Sequence, residues 1–182
     1  MMKINFLLLI FILIGCSENY TPLPKGYMRI NLPDNSYQLT EIPCPFTFNY
    51  SKHANLTENN NCWFNVTYFS LNAKIHCTYK KINENLDELL QDAHSMVYNH
   101  IMAADGIKET VYTNELKTGG LLYSLEGNAA TPLQFFITDS NKHFLRGALY
   151  FNCEPNSDSL KPVINYIEKD IRELMNSIVW DS

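Results

Sequence analysis

Six polar residues late in the chain are of types that bind charged groups or transfer protons. They are Glu126, Asn128, Gln134, Asp139, His143 and Arg146. An arginine guanidinium can hold a carboxylate through two parallel hydrogen bonds, so this set is typical of a surface that binds a partner. The sequence shows no Ser-His-Asp order and no pair of carboxylates at catalytic spacing. We therefore expect a binding surface and no enzymatic activity.

The same residues also have a purely structural interpretation. Asp139-Ser140-Asn141 has the composition of a hairpin turn that Asp139 would cap, and Asn128 would lie in a tight turn. Arg146 would then pair with Glu126 across neighbouring strands. Both interpretations place these side chains around the late strands of the fold.

The histidines do not have the spacing of metal ligands. His94 and His100 are six residues apart on one predicted helix, which separates them by about 120° around its axis. On its predicted strand, His76 points to the face opposite to Cys77. No Cys-x-x-Cys pair occurs in the sequence, which argues against a zinc ribbon. We predict no metal site and no cofactor.

The N-terminus combines a short positive region with an apolar run that ends at a cysteine. Lys3 precedes nine apolar residues at 6–14, fewer than the roughly 20 that a membrane-spanning helix needs. This pattern predicts a secretory signal peptide. Leu13-Ile14-Gly15-Cys16 resembles the lipobox of bacterial lipoproteins, which implies cleavage before Cys16 and a lipid anchor on it. The alternative is a plain secretory signal with an unmodified cysteine.

Four cysteines remain once Cys16 is assigned to lipidation. They are an even set in an oxidising compartment and can pair in three ways: Cys44, Cys62, Cys77 and Cys153. A bridge from Cys44 to Cys62 would close a polar segment read as a loop, with a gain of roughly 3 kcal/mol. Cys77 and Cys153 lie on predicted core faces of strands, where they would pair or stay as buried thiols.

Length and charge limit the class of protein. The chain has 182 residues and a formal net charge of −5, and its pI is near 5.5. These values argue against a nucleic-acid partner, which requires a basic patch. We expect a signal peptide at 1–15, a lipidated tether at 16–26 with Pro22 and Pro24, and a single domain at 27–182.

The hydrophobic periodicity predicts strands and two main helices. Alternation or β-branched and aromatic residues indicate strands at 63–70, 74–80, 110–112, 121–126, 133–138 and 143–153. Helical spacing runs from Leu86 to Ala104, with Asn85 and Glu88 as a capping pair and Gly106 as the end. A second helix extends over 158–179, with Pro162 in its first turn.

The order of strands, helix, strands and helix predicts the fold class. Short connections late in the chain favour an antiparallel β-sheet packed against two main helices, which is an α+β fold. The element order is similar to that of the PsbP-type sandwich, an antiparallel sheet between helices.

Several blocks of the sequence resemble the gliding motility lipoprotein GldD family of the Bacteroidota, in the same order over nearly the whole chain. The blocks are residues 22–33 followed by Tyr37, Cys44-Pro45-Phe46, Cys62-Trp63, residues 73–76 and 79–80, 126–132 and 134–136, 138–140 and 142–151, and Asp158-Ser159-Leu160. Cys44 and Cys62 match paired positions of the family, whereas Cys77 and Cys153 depart from its pattern. Asp158-Ser159-Leu160 also resembles an O-glycosylation acceptor or a helix cap.

The resemblance implies a role and a place. It implies a cell-envelope lipoprotein needed for gliding motility and for the type IX secretion machinery, without an established catalytic activity. Partners would be other envelope proteins of that apparatus, and the lipid would hold the protein to the membrane. Ser17 after Cys16 does not resemble an inner-membrane retention signal, so we expect the outer membrane, facing the periplasm. The alternative is a periplasmic lipoprotein that binds a small ligand.

Overall fold

The computed structural model describes residues 30–99, 104–114 and 118–181. The predicted signal peptide, Cys16 and the tether lie outside the described residues, as does His100.

A seven-stranded antiparallel sheet forms the centre of the fold. The strands along the chain are β1 (Tyr37–Leu39), β2 (Phe46–Thr47), β3 (Asn49–Ser51), β4 (Asn55–Asn59), β5 (Trp63–Tyr68), β6 (Ala73–Lys81), β7 (Ala104–Thr113), β8 (Gly119–Gly127), β9 (Leu133–Thr138), β10 (His143–Phe151) and β11 (Val179–Trp180). The large sheet has the order β4-β5-β6-β10-β9-β8-β7. Two small pairs, β1 with β3 and β2 with β11, complete the strand pairing.

Two helices pack on opposite faces of the large sheet. They are α1 (Leu86–Tyr98) and α2 (Ser157–Ser177). Short 3₁₀ turns at Asn60–Cys62 and Phe69–Leu71 end β4 and β5. The α+β fold predicted from the element order, with a sheet packed against two helices, is confirmed.

Each sheet face has its own apolar core because side chains alternate along the strands. On β10, Leu145 and Leu149 belong to the larger core, which α2 and the N-terminal strands cover. Phe144 belongs to the smaller core under α1. In the larger core Phe46 and Phe48 are fully buried, and burying each such ring contributes about 1.5–3 kcal/mol.

The first helix is shorter than its periodicity predicts. It ends at Tyr98, and both Ala104 and Gly106 belong to β7. The helical spacing continues by chance into a segment that pairs with β8 along its length, and this ladder satisfies the backbone better than a longer helix would. Asn85 precedes the first turn of the helix as predicted, but its side chain accepts from Asn83 N at 2.9 Å and makes no capping hydrogen bond to the helix.

The second helix begins one residue earlier than expected. The Asn156 side chain caps it by accepting from Ser159 N at 3.2 Å, so Asp158 lies within the first turn, where its charge suits the helix dipole. Pro162 consequently falls in the second turn and not in the first, at a position where a proline cannot donate the usual helical N–H.

The segment between Cys44 and Cys62 is not a loop. It contains β2, β3 and β4, and β4 pairs with β5 over five residues. Strands of two to five residues are too short to show clear alternation in a sequence, and the composition of asparagine and threonine is also that of turns.

Candidate functional site

The loop between β8 and β9 forms one wall of a cleft. It turns at Gly127, whose φ is +88°; a Cβ at this position would lie 2.9 Å from Asp105 N. Only glycine adopts this conformation at such a close approach without strain. Asn128 Oδ1 then accepts from Ser157 N at 3.0 Å, which joins the loop to the first turn of α2.

We call this feature the acidic cleft, and its volume is about 410 Å³. The charged residues that line it are Asp105, Glu126, Asp158, Lys161 and Glu168. Glu168 also makes an ion pair with Arg172 at 2.7 Å. Four carboxylates against one lysine give the cleft a negative potential, which attracts cations over about one Debye length, roughly 10 Å at 0.1 M salt.

Gln134 and Arg146 lie under α1 in a chain of hydrogen bonds. Arg146 Nη2 donates to Gln134 Oε1 at 2.9 Å, and Gln134 Nε2 donates to Thr131 Oγ1 at 2.9 Å. Gln134 is 1% exposed, and burial lowers the pKa of the half-buried Arg146. The expected pair of Arg146 with Glu126 is wrong because β9 separates their strands.

Asp139 caps the β9–β10 hairpin. Its Oδ1 accepts from the backbone N–H groups of Asn141, Lys142 and His143 at 3.0, 2.9 and 2.8 Å. Partial burial raises the pKa of Asp139, but these hydrogen bonds outweigh burial and hold it below its usual value. The charge of this side chain is therefore used within the turn.

His143 holds the C-terminal segment against the sheet. Its ring is buried and stacks on Trp180, with centroids 5.1 Å apart. Nδ1 lies 2.8 Å from Tyr79 Oη, and Nε2 lies 3.2 Å from the carbonyl of Asp181. Both ring nitrogens therefore have partners within the fold.

The six residues predicted as one partner surface lie in three places. Glu126 and Asn128 lie at the acidic cleft, whereas Asp139 and His143 lie beyond the other end of β9, about 17–20 Å away along the strand. The remaining pair is beneath α1. The sequence places them close along the chain, but strand length and alternation send them to separate regions of the fold.

The structure joins Cys44 to Cys62 in a disulfide with a Cα–Cα distance of 5.6 Å. Cys77 is a free thiol buried in the larger core, which is the second of its two predicted alternatives, whereas Cys153 is free and exposed, so its predicted place on a core face is wrong. Cys77 lies opposite Gly147, six residues from Cys153. That offset corresponds to roughly 20 Å along a strand, far beyond disulfide reach.

One group in the described part of the chain has the geometry for a cation. Ligand atoms of Cys44, Glu58 and Cys62 lie within 4.8 Å of one another. The two sulfurs are bonded to each other here, so they do not act as thiolate ligands in this state.

These features define a class of protein before any comparison. The sheet packed between two helices, the disulfide and the open acidic cleft are those of a small disulfide-bonded α+β domain, and disulfides form and persist in oxidising compartments. A family model described as gliding motility lipoprotein GldD matches residues 17–180. The chain therefore belongs to the GldD family.

Family membership indicates a lipid-anchored association with the cell envelope and involvement in gliding motility. A search of curated protein sequences finds no significant match. Among the described residues, no helix is both long and apolar enough to cross a membrane.

Sequence reasoning missed four of the five charged residues that line the acidic cleft. Asp105 lies between Ala104 and Gly106, where the sequence predicts the end of a helix, while Asp158, Lys161 and Glu168 lie on α2. The signal that could have found them is the short block at Asp158, which resembles the family as the 126–132 loop does and meets that loop in the fold.

Proposed function

We propose that the protein is a non-enzymatic envelope lipoprotein that serves gliding motility and the type IX secretion machinery by binding another envelope protein. In this proposal the partner inserts a basic segment into the acidic cleft. The proposal goes beyond family membership, which gives the process and the association with the envelope.

One observation carries the proposal. Two blocks that carry the resemblance to the family, residues 126–132 and 158–160, are far apart in the chain and meet at the acidic cleft. Ser157 N, just before the second block, donates to Asn128 Oδ1 in the first block at 3.0 Å. The turn at Gly127 and the hydrogen bond of Asn128 fix the conformation of the loop that forms the cleft wall, and a preorganised site loses less entropy on binding.

The charge of the cleft selects the chemistry of the partner. Asp105 and Glu126 are exposed at its rim, where carboxylates attract lysine and arginine side chains and raise the rate of association. A basic segment would meet these two rim carboxylates, whereas Glu168 already makes an ion pair with Arg172.

Binding rather than catalysis is supported by how the other candidate side chains are used. Asp139 accepts three backbone N–H groups, and both nitrogens of His143 have partners. A general base needs an orbital directed at a substrate, and these groups are already engaged in the fold. The cleft is polar and open, whereas a small-ligand carrier favours an apolar and enclosed pocket.

Location is the remaining part of the proposal. A lipid on Cys16 would hold the protein to the outer membrane with the folded domain in the periplasm. Several acyl chains anchor firmly, since each buried CH₂ contributes about 0.8 kcal/mol.

The test removes the cleft charge and keeps the side-chain shapes. The variant is Asp105→Asn with Glu126→Gln, and the matched control is Glu41→Gln with Glu84→Gln, two exposed carboxylates outside the cleft. We expect the cleft variant to lose gliding and adhesin secretion at normal protein level, and the control to keep both. Normal gliding and secretion in the cleft variant would show that the cleft is not the partner site.

A further inference from the structure

A second open feature lies on the other face of the sheet. The helix α1 packs over Tyr123, Phe136 and Phe144, and the same face of the sheet carries exposed side chains at Trp63 on β5 and His76 on β6. Here the surface forms an open groove of about 480 Å³. We call it the sheet groove, and its side chains include Thr67, Asn72, Lys74, His76, Tyr150 and Asn152.

The polar groups of the sheet groove suit hydroxyl recognition. His76 Nδ1 lies 2.6 Å from Asn65 Oδ1. Burial, together with the positive charge of Lys74, lowers the pKa of His76, so its ring is neutral at pH 7. Assigned from its amide partner, the Nδ1–H donates to Asn65 and leaves Nε2 as an acceptor.

Aromatic rings flank these polar groups. Tyr150 is 39% exposed, Phe69 is 71% exposed, and the His76 ring meets Tyr150 edge-on at 5.3 Å. Trp63 lies on the same face of β5 as Thr67 and is 49% exposed. Exposed rings beside amide, hydroxyl and imidazole groups match sugars, which present apolar C–H faces and a rim of hydroxyls.

The charge of the sheet groove is opposite to that of the chain as a whole. Lys74 lines it, and no carboxylate is found among the described residues that form its walls, although the net charge of the protein is −5. Because the lining contains a lysine and no carboxylate, it favours a ligand that carries a carboxylate group.

The groove is held in shape by backbone contacts. Asn152 N donates to the carbonyl of Asn72 at 2.8 Å, and Asn72 has a left-handed backbone with φ +48°, which asparagine tolerates. The antiparallel ladder of β6 with β10 places Lys74 directly opposite Tyr150. Binding at this site therefore requires little reorganisation.

We propose that the sheet groove binds an acidic oligosaccharide. One sugar ring packs on Tyr150, its hydroxyls exchange hydrogen bonds with His76 and Asn152, and its carboxylate meets Lys74. This site is independent of the acidic cleft, and longer chains extend along the face toward Trp63.

The test measures binding by titration calorimetry with the full chain in detergent. Trigalacturonate is the acidic probe, cellotriose is a neutral probe of similar size, and sodium acetate is the simple anion. The variants are Lys74→Met and Tyr150→Ala, and Lys52→Met removes an exposed lysine elsewhere as the control. If Tyr150→Ala fails to fold, judged by near-ultraviolet circular dichroism, the exposed Asn152→Ala replaces it.

We expect saturable binding of trigalacturonate and weaker binding of cellotriose. Each groove variant should weaken the binding of trigalacturonate about tenfold, and the control and the variant Asp105→Asn with Glu126→Gln should not change it. Any of three results overturns the proposal. Trigalacturonate does not saturate the protein below about 1 mM, acetate binds equally well, or both groove variants keep the original affinity for trigalacturonate. A last measurement follows the chemical acetylation of Lys74. If glycan-free envelope protein protects Lys74 from the reagent and trigalacturonate does not, the groove binds a protein and the proposal is overturned.

Discussion

The acidic cleft and the sheet groove have nearly the same size but opposite chemistry. The cleft of about 410 Å³ has four carboxylates and one lysine on the α2 face. The groove of about 480 Å³ has one lysine, no carboxylate in its described walls, and an exposed tyrosine on the α1 face. A single scaffold can thus present two recognition sites that do not compete for one ligand, because each repels what the other attracts.

The two sites also differ in how the chain builds them. The cleft depends on one special backbone conformation at Gly127 and on contacts between residues distant in sequence. The groove depends on side chains of regular strands, whose positions follow from alternation and register. A local change in the 126–132 loop should therefore affect the cleft alone, whereas a change in the scaffold should affect both.

The largest expected effect comes from the scaffold. Replacing the disulfide in Cys44→Ser with Cys62→Ser should lower the free energy of unfolding by about 3 kcal/mol, because the bridge restricts the unfolded chain. Urea denaturation measures this loss. Both sites should lose ligand binding at the same urea concentration as the chain unfolds. Loss of binding at one site well before the other would mean that they do not share a cooperative scaffold.

A smaller and more selective effect is expected at the turn of the cleft. Gly127→Ala places a Cβ near Asp105 N on a backbone with positive φ, which should cost about 1–3 kcal/mol. Thermal unfolding reports the stability, and co-purification from cells reports partner binding. Partner binding should fall while trigalacturonate binding stays unchanged. Equal loss at both sites would contradict the separation of cleft and groove.

The smallest effect concerns a region outside both sites. The pKa of Asp139 is lower in the folded protein than its usual value, so its charge stabilises the fold above about pH 4 and this contribution is lost as pH falls through the lowered pKa. Asp139→Asn keeps the shape and should cost roughly 1 kcal/mol at pH 7. The free energy of unfolding of the variant and of the original protein should be measured from pH 7 to pH 3. The difference between the two should shrink as the pH falls, and a constant difference would show that the charge of Asp139 is not its cause.

Regular elements were predictable from the sequence because their signals are local. The bounds of β9 and the alternation of β10 follow from periodicity, and the Asp139 turn follows from its composition. Of β7, only residues 110–112 are predicted as a strand, because the helical spacing of α1 continues to Ala104 and the start of β7 is decided by its pairing with β8.

The site was less predictable because it is assembled across distance. Glu126 was identified from its neighbours in sequence, but Asp105 and Glu168 join it only through β7 and α2. His143 and Gln134 were grouped with it although sheet alternation sends them elsewhere. Sequence proximity along a hairpin does not give spatial proximity when a whole strand lies between two residues.

The most direct test of the central claim is crosslinking from inside the acidic cleft in living cells. A photoreactive amino acid would replace Asn165 in the cleft, with Lys52 as the remote control position. The account predicts a crosslinked envelope protein from Asn165 only, attached through a peptide rich in lysine or arginine, and loss of this product in the Asp105→Asn with Glu126→Gln background. The same product from Lys52, an acidic crosslinked peptide, or a product that persists without the cleft charges would contradict it.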